Sequence, residues 1–210
     1  DFVITGNPVR QEILTAKKEE SRKELGLDNR PVVLSFGGSL GARKINEAVA
    51  DLVARSGIDG RYQHIHAYGS YGDWVVEEKG TDIADCSNLD IRPYIDNMPT
   101  CMAAADLVIC RAGAITLSEI QAMGKPAILI PSPNVAENHQ YHNAMALVNA
   151  GAADIIEEKD LTGAALMRKT DKMLLNPEKL EKYSENSRKM AITDANERIY
   201  SVVKKVLGLV

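Results

Sequence analysis

Short apolar runs alternate with helix-period stretches along nearly the whole chain. The runs Pro31–Phe36, Tyr62–Tyr68, Leu89–Pro93, Leu107–Cys110, Ala127–Pro131 and Ala153–Ile156 predict strands. Helices are predicted over Arg10–Leu25, Ala42–Arg55, Ala114–Met123, Asn138–Ala150, Thr162–Leu175, Glu178–Met190 and Ala195–Leu207. Strands alternating with helices of this length imply βαβ units, and so an α/β fold with a Rossmann-like, doubly wound parallel sheet. Val32–Phe36 and Ala127–Ile130 are apolar at both alternating positions, as strands covered on both faces should be. The opening run Phe2-Val3-Ile4 reads as a strand cut from a longer protein, so the chain is expected to be an excised domain or processed fragment. Residues 17–24 put Lys18 and Arg22, and Glu19 and Lys23, four apart, which predicts a solvated helix face.

Composition changes this picture little. With 210 residues, 45% hydrophobic and 26% charged, the chain is an ordinary globular protein of one large domain or two small ones. A net charge of −4 argues against a nucleic-acid partner, which would require a basic face. Cys86, Cys101 and Cys110 show neither paired spacing nor a metal pattern, which fits a reducing cytosolic setting. No run is long and apolar enough to span a bilayer.

Residues 106–119 carry the most chemistry. A strand over Leu107–Cys110 runs into the small-residue turn Ala112-Gly113-Ala114, which opens a helix bearing Ile115, Thr116, Leu117, Ser118 and Glu119. Free N–H groups at a helix start suit a phosphate. A glutamate one turn on would repel phosphate and instead suits the two hydroxyls of a ribose. An ordinary strand–turn–helix unit with a surface glutamate is the plainer reading of the same pattern. A second turn, Phe36-Gly37-Gly38-Ser39-Leu40-Gly41-Ala42, also lies between strand and helix. It matches neither a Walker A loop nor the dinucleotide fingerprint, and no acidic residue ends the next strand. A tight turn with no ligand explains it equally well.

Ile91–Met98 places a strand end before a short helical stretch, where backbone could read a flat base edge, or where the chain simply connects two elements. In the polar loop after Pro131, Gln140 and Asn143 share a helix face and offer amides suited to sugar hydroxyls, with Asn138 as a helix cap. His139 with His142, or His64 with His66, could be half a zinc site, but neither pair has a third ligand nearby in sequence, so metal binding is not expected. With no Asp-x-Asp pair to hold a metal–diphosphate, a nucleotide-sugar enzyme built here would neutralise its leaving group with backbone N–H groups, hydroxyls and arginine.

Five ordered motifs together resemble the MurG family of N-acetylglucosaminyltransferases. They are Gly6-Asn7-Pro8-Val9-Arg10, Gly37–Ala42, Tyr94-Ile95-Asp96-Asn97-Met98, Arg111–Glu119, and His139-Gln140 with Asn143-Ala144. The resemblance runs from Gly6 to about Arg198, and Asp194–Arg198 is similar to that family's closing helix. It implies the C-terminal half of a two-domain GT-B glycosyltransferase, with residues 1–210 as a single domain binding the UDP-N-acetylglucosamine donor. Ile95 would contact uracil through its backbone and Glu119 the ribose. Arg10, Gly38 and Ser39 would serve the diphosphate beside the helix start Ala114–Ser118, and Gln140 the sugar, supported by Asn143. No metal or other cofactor is implied. The catalytic base and the lipid I acceptor surface would lie on an N-terminal half that no segment here matches. The full protein would act at the cytoplasmic face of the membrane. Other lipid or natural-product glycosyltransferases using UDP-sugars share these expectations. So does a non-catalytic nucleotide-sugar subunit that needs a membrane partner. A nicotinamide dehydrogenase fits worse, since its fingerprint and acidic residue are both lacking.

Overall fold

The computed structural model describes residues 2–74 and 86–209. Six parallel strands form one sheet in the order β3-β2-β1-β4-β5-β6. They are β1 (Val32–Phe36), β2 (Gln63–Ala67), β3 (Leu89–Arg92), β4 (Leu107–Cys110), β5 (Ala127–Leu129) and β6 (Ala153–Ile155). All six predicted strands are present. Pro31, Pro93 and Pro131 lie just outside them, since proline has no N–H for the ladder.

Alternation along the strands sorts the core onto two faces. Val32, Leu34 and Phe36 of β1, with Val108 and Cys110 of β4, pack against one set of helices. That set includes α4 (Met98–Ala104) through Cys101 and Met102, and α5 (Ala114–Met123) through Leu117 and Ile120. It also includes α6 (His139–Asn149), through Ala144 and Leu147. Val33, Leu107, Ile109 and Ile128 face the other way, onto Ile45, Val49 and Leu52 of α3 (Arg43–Asp59) and Leu166 and Met173 of α7 (Gly163–Leu174). The chain ends with α8 (Pro177–Lys189) and α9 (Ala195–Val206).

Three expectations change. The helix predicted over Arg10–Leu25 is two: α1 (Gln11–Thr15) and α2 (Lys18–Glu24), with Ala16 and Lys17 extended between them at ψ 135° and 139°. Thr15 turns its hydroxyl back to the Gln11 carbonyl at 3.1 Å, a local bond that competes with helix continuation. The charged face of α2 is not simply solvated. Lys18 and Arg22 bond the two carboxylate oxygens of Asp106, each at 2.5 Å, and the Val32 N–H donates to the same carboxylate at 2.7 Å. This clamp ties α2 to the N-terminal ends of β1 and β4. Finally, Phe2–Ile4 is not a strand. It lies outside the sheet, whose edges are β3 and β6, and is fully exposed to solvent at Phe2.

Ser35, His64 and His66 form a buried polar cluster on the α3 face. Ser35 Oγ lies 2.7 Å from His64 Nε2 and 2.8 Å from His66 Nδ1. His66 Nδ1 also reaches the Ser35 carbonyl at 3.2 Å, which fits a neutral ring donating from Nδ1. Among the described residues, His64 Nδ1 and His66 Nε2 have no partner. Burial pushes both rings toward the neutral form, His66 down to about 4, and His66 further disfavours charge on His64. Below the ordinary histidine value of 6.5 the unfolded chain therefore takes up protons that the folded one refuses. Stability should fall by about 1.4 kcal/mol per pH unit per histidine below that value. Urea denaturation at pH 7 and pH 5 checks this in a window where most carboxylates stay ionised. A flat profile would show that these histidines accept protons in the fold.

Candidate nucleotide site

The strand order reverses between β1 and β4. The chain leaves β1 toward α3 on one face and leaves β4 toward α5 on the other. The two connections therefore diverge at the carboxyl ends of neighbouring strands and open a crevice there, the usual ligand position in doubly wound sheets. Both glycine-bearing turns seen in the sequence lie at this point. Gly38 has φ +99°, a conformation that favours glycine, and open space where a side chain would stand. Gly41 fits for a different reason: a Cβ there would meet the Tyr68 carbonyl oxygen at 2.1 Å, so its lack of a side chain locks this turn against the end of β2.

Gly113 begins α5 with an ordinary φ of −72°, no side-chain cap and nothing within 4 Å of where its Cβ would be. Packing does not demand glycine here. The Leu117 N–H already reaches the Gly113 carbonyl at 3.0 Å, so the free donors of the first turn are those of Ala114, Ile115 and Thr116.

A cavity of about 190 Å³ occupies the crevice. Six of the expected site residues, Arg10, Gly38, Ser39, Ile95, Thr116 and Glu119, line it, brought from four separate segments. Ile95 is buried, and no hydrogen bond of the described residues uses its backbone N–H or C=O. Glu119 is buried rather than at the surface, with its side chain 9% exposed. Arg10 Nε and Nη2 both donate to Glu119 Oε1, at 3.2 and 3.0 Å. The carboxylate's second oxygen carries no bond among the described residues.

The other expected residues do not line this cavity. Ala114 and Ile115 are exposed at the helix start, while Leu117 belongs to the core. Ser118 spends its hydroxyl on the Ala114 carbonyl and on Asn7 Nδ2, both at 3.0 Å. Gln140 Oε1 accepts the Ser132 N–H at 2.9 Å, which shapes the loop after β5, and its amide nitrogen has no partner among the described residues. Asn143 Nδ2 braces the Ala112 carbonyl at 3.3 Å, so it supports the α5 turn and not Gln140. Asn138 sits at the start of α6 in a left-handed conformation, and its side chain makes no cap bond. Arg111 ties the Ile130 and Pro131 carbonyls to Glu158 and so fixes the same loop. A larger hollow of about 320 Å³ lies beyond it, between Lys44, Tyr141 and Glu158, and touches neither glycine turn. Among the described residues no group of three histidine, cysteine or acidic side chains is placed to hold a metal ion. His139 instead reaches the Ala136 carbonyl at 2.9 Å.

Sequence reasoning passed over Phe36, Tyr94 and Asn7. Phe36 and Tyr94 line the cavity, and Asn7 ties the chain's first segment to α5. An aromatic directly beside Ile95 was the available signal for Tyr94.

A doubly wound parallel sheet with a cavity at its reversal point defines a Rossmann-type domain. The chain belongs to the glycosyltransferase family 28 C-terminal domain family, which residues 32–199 match. It is 44% identical over 98% of its length to the UDP-N-acetylglucosamine–N-acetylmuramyl-(pentapeptide) pyrophosphoryl-undecaprenol N-acetylglucosamine transferase of Acetivibrio thermocellus. The protein of the same description from Caldanaerobacter subterraneus is 45% identical over 97% of the chain. The chain spans 56% of the length of each. The crystal structure of Acinetobacter baumannii MurG superposes with a TM-score of 0.75 at 28% identity, covering 97% of this chain and 57% of that one. The S. aureus MnaA–UDP co-structure shares the fold at 12% identity, with a TM-score of 0.73, covering 99% of this chain and 55% of that one. The sheet is thus that of the C-terminal half of a GT-B glycosyltransferase.

Gly113→Ser tests the start of α5. A serine hydroxyl there can cap the free N–H groups, so the denaturation midpoint should hold or rise slightly. Affinity for a nucleoside diphosphate should fall about tenfold, as expected when a charge-assisted bond is lost. Unchanged affinity in calorimetry would place the phosphates elsewhere.

Proposed function

We propose that this chain is the donor-binding half of an inverting, metal-independent N-acetylglucosaminyltransferase that uses UDP-N-acetylglucosamine and converts lipid I to lipid II in peptidoglycan synthesis. One observation carries this reading: backbone at Ile95, a carboxylate at Glu119, and phosphate-type donors at Gly38, Ser39 and Thr116 converge on one cavity at the sheet's reversal point. Uracil meets the free N–H and C=O of Ile95. The ribose hydroxyls donate to the open oxygen of Glu119. The diphosphate lies between the Gly38–Ser39 turn and the α5 start, with Arg10 adding positive charge at the edge of the cavity. As the glycosidic bond breaks, negative charge grows on the leaving UDP. The α5 dipole and its unbonded N–H groups are aimed at that charge before the reaction begins, and such preorganisation lowers the barrier. The free amide N–H of Gln140 reads a sugar hydroxyl.

The catalytic base and the lipid I surface belong to the N-terminal half of the same protein, as the 56% coverage of the relatives suggests. No helix among the described residues is long and apolar enough to cross a membrane. A peripheral position at the cytoplasmic face therefore rests on that half.

UDP and UDP-N-acetylglucosamine should bind with the same affinity whether or not a chelator is present. Calorimetry decides this, and strict dependence on magnesium or manganese would contradict the site. Gln140→Glu should keep the acceptor that shapes the loop but lose the donor to the sugar. Binding of UDP-N-acetylglucosamine should weaken by about 0.5–1.5 kcal/mol while UDP alone is unchanged. Equal loss for both ligands would move Gln140 from the sugar to the scaffold.

A further inference from the structure

We infer that Arg10 is a positioning residue that sets the protein's selectivity for ribose by holding the Glu119 carboxylate in one orientation. The inference rests on the reading of Glu119 as the ribose acceptor, and deepens it.

A carboxylate that is 9% exposed is costly to keep ionised unless it is paired. Arg10 supplies the pair in an asymmetric way. Both guanidinium N–H groups converge on Oε1, at 3.2 and 3.0 Å, and leave Oε2 to the cavity. A symmetric, fork-to-fork pair would engage both oxygens with the guanidinium. The observed pair fixes the plane of the carboxylate and keeps one oxygen as a ready acceptor.

Arg10 can do this because its own backbone is held down. Asn7 donates to Ser118, the α5 residue next to Glu119, at 3.0 Å. Gly6, at φ +77°, lies so close to Ile192 that a Cβ would stand 2.7 Å from its Cγ2. Residues 6–10 are therefore laid across two consecutive positions of α5 and pinned beneath by the segment that leads into α9. The guanidinium arrives on a fixed strap, although its side chain remains half exposed.

A group that only attracts diphosphate would weaken all UDP derivatives alike. A group that orients the ribose acceptor changes the ratio between ligands with and without ribose hydroxyls. Calorimetry with UDP and 2′,3′-dideoxy-UDP separates the two roles. In Arg10→Met, the preference for UDP over the dideoxy compound should fall about fivefold or more, since a charge-assisted bond loses its geometry. Glu119→Ala should reduce the preference at least as far, and the double variant should go no lower than Glu119→Ala alone. Should Arg10→Met fail to fold, Arg10→Lys carries the same comparison: it keeps the charge but gives up the two-pronged grip, and the preference should still fall about twofold or more. If the Arg10 variants lose affinity for both ligands equally, Arg10 serves the phosphates only and the inference is overturned. If Glu119→Ala itself leaves the preference unchanged, the ribose assignment falls, whatever the Arg10 variants do.

Discussion

The parallel pairing of β1 with β4 is the constraint from which the site follows. Val33–Phe36 register against Leu107–Cys110, so the two strands end side by side. Right-handed crossovers then force the chain to opposite faces of the sheet, because β2 lies to one side of β1 and β5 to the other side of β4. The two turns cannot close over each other, and a crevice must remain. Gly38 and Ser39 follow β1, Thr116 and Glu119 follow β4, Arg10 reaches in by pairing with Glu119, and Tyr94 and Ile95 arrive from the end of β3.

What fills the crevice is organised by unsatisfied valences. Among the described residues, the N–H groups that open α5 have no side-chain cap, the Ile95 backbone has no partner, and one oxygen of Glu119 is open. In a folded protein such groups are few, and each carries an energetic penalty unless water or ligand meets it. Their concentration around one cavity marks the place where a bound ligand would satisfy them. The His64 and His66 nitrogens without a partner among the described residues differ in kind, since both rings are fully buried in the core and lie outside this cavity.

The strands and most helices were legible in the sequence because their signals are local: continuous apolar runs, and prolines that end them. α5 matched its expected limits, Ala114–Met123, since a glycine turn precedes it and Gly124 ends it in a left-handed conformation. The break between α1 and α2 was not legible, because the charged pattern of residues 17–24 continues a helix and only Asp106, far away in sequence, shows where Lys18 and Arg22 must go. The site divided in the same way. Glycine turns and the position of Glu119 one turn into α5 could be read directly. That Glu119 is buried, and that its partner is Arg10, could not, since the two are 109 residues apart. Asn143 shows a third case: it was expected to support Gln140, but its amide donates to the Ala112 carbonyl, 31 residues away in sequence.

Asp106 lies at the end of β4 opposite the crevice. Three donors from α2 and β1 meet on this one carboxylate, so it acts as a rivet through the rear of the sheet. The division of labour has an evolutionary corollary. Because the fastening sits some four residues behind the chemistry, the front turns can be lengthened, shortened or re-lettered without loosening the frame that spaces them. A scaffold riveted at the rear can have its front turns rewritten through drift in loops alone.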